Sequence, residues 1–194
     1  MYSLTVVRFI KSGTSWPFLK QGDIMTQVEP LFYFRNECNH PDSSLVLRFS
    51  YEPRVGCVEI VLDYQAGAGE KRDFRRWKFN GVRSMTCDGT PWEGTHENWQ
   101  ACTGENGQLS LASVYSLSVS PVRAVSGAIV AHKLDLDLDK SVSSVTFTFT
   151  SVSVQQRFGI AFALEGGKTW TYRDATSGNE LNFYDPFPDE DWGL

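Results

Sequence analysis

The residues that could do chemistry in this chain are carboxylates, thiols and a late cluster of aromatic rings beside amides. In His132-Lys-Leu-Asp-Leu-Asp-Leu-Asp-Lys140, a strand conformation puts Asp135, Asp137 and Asp139 on one face, about 7 Å apart per step, with Leu134, Leu136 and Leu138 on the other. Three aligned carboxylates could offer oxygens to Ca²⁺, which needs six to eight. A charged edge strand that discourages edge-to-edge pairing is the commoner use of this pattern, and it is the expectation here, so no metal is assigned. For glycoside hydrolysis, Glu59, Asp63, Glu93, Glu97, Asp174 and Glu180 supply carboxyl groups, but no motif surrounds any pair of them. Nucleophile-elbow, zinc-protease and phosphate-loop signatures are missing as well. No catalytic residue and no cofactor is therefore assigned.

Cys38, Cys57, Cys87 and Cys102 contain no Cys-x-x-Cys pair. A zinc site built from Cys38, His40, Cys87 and His96 would lack ligand pairs at structural-zinc spacing, so reduced thiols are expected. If the chain were secreted after loss of a leader, the four could form two disulfides in any of three pairings. Lys71-Arg-Asp-Phe-Arg-Arg-Trp-Lys78 is the densest basic cluster. Alternation on a strand would set Arg75, Trp77 and Phe79 on one face and Arg76 and Lys78 on the other. Arg and Trp are favoured at protein contacts, whereas a core strand with a charged outer face is the simpler reading.

The end of the chain holds Lys168-Thr-Trp-Thr-Tyr-Arg-Asp-Ala-Thr-Ser-Gly-Asn-Glu-Leu-Asn-Phe-Tyr184. Aromatic rings can stack on the C–H faces of a sugar while Asn and Asp satisfy its hydroxyls, so a glycan is the ligand class these types suit. Together with the preceding segments 126–149, Ser126-Gly-Ala-Ile-Val-Ala-His through Phe149, and 158–167, Phe158-Gly-Ile-Ala-Phe-Ala-Leu-Glu-Gly-Gly167, this run resembles the glycogen- and starch-binding modules of carbohydrate-binding family 21. Tyr172-Arg-Asp174 stands where that family has Trp-Asp, and its double Asn is absent. The resemblance implies that Asp174, Asn179 and Asn182 bond sugar hydroxyls and that Trp170 or Tyr172 offers a ring face. Trp92 and Trp99, in the polar excursion between Gly81 and Gly107, are added to the candidate binding set. The competing reading packs Trp170 and Tyr172 in a core and leaves Asn179 and Asn182 to shape a turn.

Such side chains need a scaffold, and the pattern here is period two throughout. Strands are expected at 4–10, 31–35, 45–51, 55–64, 75–79, 109–119, 128–138, 142–150, 158–164 and 170–172, with a short one at 181–184. Gly67-Ala-Gly69, Asn80-Gly81, Asp88-Gly89 and Gly166-Gly167 punctuate them, the last pair marking a hairpin. Tyr115, Leu117 and Val119 are expected to face inward on one strand, Val145, Phe147 and Phe149 on a second, and Phe158, Ile160 and Phe162 on a third. The fold class expected is all-β, an antiparallel β-sandwich, with a jelly roll or closed barrel as the alternative. At 194 residues the chain suits one such domain over 1–186, followed by an acidic tail, 187–194, outside the core.

Composition limits the partners. A net charge of −5 without a basic tail disfavours extended nucleic-acid binding. No run approaches the roughly 20 apolar residues of a membrane-spanning helix, and residues 1–20 hold no signal-peptide core, so a cytoplasmic protein is expected. The sequence thus points first to a non-catalytic carbohydrate-binding module. A protein-interaction or structural, capsid-like sandwich that self-associates or binds a protein partner comes second, and a small carbohydrate-active enzyme third.

Overall fold

The protein is seen in a computed structural model that describes residues 25–36, 38, 44–64, 71–91, 112–138, 144–163, 170–182 and 186–187. Its elements in chain order are β1 (Thr26–Val28), α1 (Pro30–Asn36), β2 (Leu45–Glu52), β3 (Cys57–Asp63), β4 (Lys71–Asn80), β5 (Ser84–Cys87) and β6 (Thr90–Pro91). There follow β7 (Ala112–Arg123), β8 (Ile129–Leu138), β9 (Ser144–Phe149), β10 (Ser151–Ala163), β11 (Trp170–Asp174) and β12 (Glu180–Leu181). Every strand pair is antiparallel. The fold is an all-β sandwich, not closed into a barrel.

One sheet runs β12-β11-β10-β4-β3-β2, with β1 beside β10, and the other runs β7-β8-β9-β5-β6. Strand β7 joins them. Its first residues, Ala112 and Ser113, pair with Val46 and Leu45 of β2, and from Val114 onward it pairs with β8. The chain passes between the sheets at one corner, where Asn80 hands on to β5 and Phe149 hands on to β10. The Asn80 carbonyl accepts from both the backbone N–H of Thr150 (2.9 Å) and its hydroxyl (3.1 Å). Gly81 turns that corner with φ +67°, and any Cβ there would strike the Thr150 side chain.

The core lies between the sheets, where β9 alternates strictly and β3, buried on both faces, and β4 each turn one row of side chains inward. Val58, Ile60 and Leu62 on β3 and Trp77 and Phe79 on β4 meet Val145, Phe147 and Phe149 on β9 and Leu134 and Leu136 on β8. Phe79 is the keystone, its ring centroid 5.1 Å from Phe147 and 4.9 Å from Phe149 in edge-on contact. Each fully buried large side chain contributes about 1.5 to 3 kcal/mol. The simpler reading of the basic-aromatic cluster therefore holds, with Trp77 and Phe79 in the core.

Several sequence expectations need correction. Residues 31–35 form a helix, not a strand. Pro30 occupies its first turn, the Glu29 carboxylate accepts from the N–H groups of Leu31 (3.3 Å) and Phe32, and the buried residues Pro30, Tyr33 and Phe34 recur at helical spacing. Tyr115 faces solvent, 75% exposed, because a bulge between Val114 and Ser116 breaks the alternation. Ile160 is exposed too; the inward row on β10 is Val152 and Val154, set by pairing with Phe79 and Trp77. The segment after Gly81 begins with a hairpin, β5–β6. Phe187, expected outside the core, is 1% exposed in a second cluster with Val61, Phe74, Tyr172 and Leu181. The strand expected at 4–10 and the Gly166-Gly167 turn lie outside the described residues, although β10 and β11 pair antiparallel on either side of that turn.

Candidate functional site

The outer face of the first sheet carries the second cluster and a lattice of ion pairs. Tyr172 on β11 is 9% exposed, edge-on to Phe74 at 6.1 Å, with the Arg72 guanidinium 5.8 Å from its ring centre. Its ring is thus packed inside, so the face that would stack on a pyranose is taken. Asp174 is buried as well. Its Oδ1 accepts from the N–H groups of Thr176 (2.8 Å) and Ser177 (2.7 Å), which closes the turn after β11, and Arg157 lies 3.4 Å from Oδ2. Both residues act as structural members of this face. Asn179 and Asn182 are exposed at its edge, and the Asn179 carbonyl accepts from the Asp174 N–H at 2.8 Å. Trp170 enters through its backbone, paired with Ala163. Trp92 and Trp99 lie outside the described residues.

Two of the carboxylates weighed for catalysis, Glu59 and Asp63, sit in buried ion pairs. Glu59, 1% exposed, has Oε1 2.7 Å from Arg48 and Oε2 2.7 Å from Arg76, which ties β2, β3 and β4 together. Asp63 meets Arg72 at 2.9 Å. Glu180 is exposed on β12; Glu93 and Glu97 lie outside the described residues.

Strand β8 is not an edge, as its acidic alternation suggested, but is paired on both sides by β7 and β9. Asp135 accepts from Thr146 (2.8 Å) and pairs with Lys133 (2.8 Å); Asp137 accepts from Ser116. Partial burial opposes the charge of Asp135, but Lys133 and Thr146 outweigh it and hold its carboxyl below the usual range. Asp139 lies outside the described residues. Among the described residues no group of three or more potential ligands could hold a metal.

Inside the sandwich, at the α1 end, Arg75 makes a second polar centre whose partners the sequence did not single out. Its Nε and Nη2 both donate to Asp73 Oδ2 (3.1 and 2.8 Å), Nη1 lies 3.2 Å from Cys38 Sγ, and the guanidinium covers the Tyr64 ring at 3.6 Å. Gln156 donates to the other Asp73 oxygen at 2.9 Å, and Trp77 Nε1 donates to the Tyr33 hydroxyl at 3.1 Å. Burial works against the charge of Arg75, yet Asp73, Tyr33 and Cys38 outweigh it and hold the guanidinium protonated above its ordinary value. Burial, reinforced by Cys38 and partly offset by Arg75, pushes the Tyr33 hydroxyl up. Alternation placed Arg75 beside Trp77; its partner Asp73 was hidden because that strand was expected to start only at Arg75.

Among the described residues the most exposed apolar feature is the β7–β8 hairpin. The β8–β9 ladder ends at His132 and Phe149, whereas β7 and β8 stay paired to Arg123 and Ile129 with no third strand beside them among the described residues. The turn is well bonded: Ala124 N–H donates to Ala128 O (2.9 Å), Gly127 N–H to Ala124 O (2.8 Å), and Arg123 Nη1 to Gly127 O (2.8 Å). Val125, Ile129 and Val130 stand exposed on this arm. At its base the His132 ring stacks on Phe149 at 5.5 Å, its Nδ1 buried without a hydrogen-bond partner.

Comparison with known proteins leaves the site to speak for itself. No family model, no curated protein and no solved structure matches the chain.

Proposed function

We propose that this chain is a non-catalytic interaction sandwich that binds a protein partner through the projecting β7–β8 arm. The observation that carries the reading is the exposure of Val125, Ile129 and Val130 on a hairpin whose turn is internally hydrogen-bonded. An exposed apolar group on a preorganised element loses little entropy when it docks, so it is suited to act as an anchor. A photo-crosslinking residue at Val125, compared with one at the exposed Thr150 just beyond the base of the arm, tests this in cells that express the chain. One defined adduct from position 125 and none from position 150 is the expected result. Equal yields from both, or none, overturn it.

A glycan-binding surface is the second reading, favoured by the exposed Asn179 and Asn182 beside the Trp170 strand. Affinity electrophoresis on glycogen, starch and cellulose tests it. Retardation that Asn179→Ala and Asn182→Ala abolish is the expected outcome, and free migration on all three glycans removes the reading.

A further inference from the structure

The rung at which the arm leaves the sandwich holds a buried imidazole. His132 pairs with Phe149 at the end of the β8–β9 ladder, and beyond it the arm stands on β7–β8 pairing alone among the described residues. The His132 side chain is 9% exposed, and its ring lies 5.5 Å from that of Phe149 at an interplanar angle of 30°. Phe149 is itself fixed, fully buried and 4.9 Å from Phe79 in the core. The imidazole thus ties the base of the arm to the interior. Its Nδ1 is buried and has no hydrogen-bond partner.

We propose that His132 is a proton-operated lock on the arm: neutral, it holds the β7–β8 hairpin to the sandwich, and on protonation it leaves the Phe149 stack and frees the hairpin to move. The inference rests on the reading of the arm as the docking element and supplies a regulation for it. A neutral imidazole can keep its one proton on Nε2 and leave Nδ1 as a bare acceptor, whereas imidazolium is a donor at both nitrogens. A buried N–H without an acceptor and a buried charge both penalise the locked position, and both penalties vanish once the ring reaches water.

The surroundings do not offset them. Pro121 lies opposite on β7 and Phe149 on β9, and neither carries a charge. Lys133 projects from the other face of β8, paired with Asp135 at 2.8 Å, and Arg123 is bonded to the Gly127 carbonyl at the far end of the hairpin. Among the described residues Glu29 is the charged group that favours the proton. Its carboxylate already accepts from the N–H groups of Leu31 and Phe32, and burial of the ring outweighs it. Acidification therefore works against the lock. A hairpin free to swing loses the preorganisation that makes Val125, Ile129 and Val130 good anchors, so partner binding weakens as pH falls.

Hydrogen exchange of the full chain, read by mass spectrometry at pH values of about 7.5 and 5.5 and corrected for intrinsic rates, is the test. The amides of 120–131 should exchange ahead of those of β3 at both values. Their protection should fall about threefold to tenfold on acidification, the upper figure being that of a lock with no affinity for the proton and a freed ring titrating near 6.5. His132→Phe, which keeps a ring on Phe149, should abolish the fall, and His132→Gln, which cannot titrate either, guards against a packing defect peculiar to the Phe variant. Arm protection indifferent to pH, exchange of the arm and β3 together in one global event, or a response that survives in both variants overturns the proposal. Crosslinking from position 125 is read in parallel in permeabilised cells buffered at the two pH values. Its yield should drop at the lower value in the parent chain and not in His132→Phe, and a yield unmoved by pH overturns the regulation. Absence of any adduct at either pH removes the partner reading, while exchange still decides the lock.

Discussion

Replacing Arg75 with Met is the sharpest probe of what holds the interior together. Met retains the length of the aliphatic stem but removes the guanidinium from Asp73 Oδ2 (3.1 and 2.8 Å) and from the Tyr64 ring (3.6 Å). Asp73 is 5% exposed and would be left with the neutral Gln156 amide as a side-chain partner. Breaking a buried ion pair from one side costs about 3 to 5 kcal/mol, because the remaining charge is left uncompensated. Arg75 is itself nearly fully buried, so solvent screening gives little relief, and about 4 kcal/mol is expected. In urea, with a slope of about 2 kcal/mol/M for a domain of this size, the unfolding midpoint should fall by about 2 M. Intrinsic tryptophan fluorescence is a suitable readout, since Trp77 shares the Tyr33 hydroxyl with this network. Asp73→Asn on the same background should recover about 2 kcal/mol, because it neutralises the stranded carboxylate. A cost below about 1 kcal/mol for Arg75→Met, or strict additivity of the two changes, would refute the view that the pair is desolvated.

Three further outcomes are expected. Gly159→Ala brings a methyl to 2.8 Å from the Phe74 ring, with Leu181 behind it, and should lower stability by about 1 to 3 kcal/mol in the same urea assay. His132 is held below its ordinary value chiefly by burial, with Glu29 partly opposing, so the unfolded chain binds more protons in mildly acid solution. Its stabilising contribution is full above the unfolded pKa of about 6.5 and is lost as pH falls through that value; melting temperatures at about pH 7.5 and 5.5 should differ less in His132→Phe, which keeps the stack on Phe149. Cys38, Cys57 and Cys87 are buried, and burial pushes the Cys57 thiol up. Native-state alkylation followed by mass spectrometry should therefore leave all three unlabelled until urea is added.

The layered architecture was legible in the sequence because its strongest signals are long. Ile60 and Leu62, Leu134 and Leu136, and Phe147 and Phe149 all lie where period two put them. Short or irregular stretches were not legible. Five residues, 31–35, cannot separate a strand from a helix by periodicity, and the caps at Glu29 and Pro30 decided it. Tyr115 was misplaced by a bulge, a feature of pairing that only the neighbouring strand reveals. For the site, residue type showed which groups could bond a sugar but not whether they were already occupied. Tyr172 and Asp174 have the right chemistry, and Phe74, Thr176, Ser177 and Arg157 use it first. Exposure of the β7–β8 arm likewise depends on where β9 stops, which no local pattern encodes.

The corner at Asn80 and Thr150 has a consequence for assembly of the chain. All five strands of the second sheet lie between β4 and β10, so 84–149 is an insertion within the first sheet, whose central rungs join Lys71–Asn80 to 151–160. During synthesis β4 must wait, one side unsatisfied, until roughly seventy more residues have emerged, while the β7–β8 and β8–β9 hairpins can close on their own short loops. In that interval Trp77 and Phe79 have Phe34 of α1 beside them but lack Phe147, Phe149 and the β10 valines. A nascent chain halted before Val152 would therefore carry β4 with one edge open, an aromatic strand able to pair with other chains.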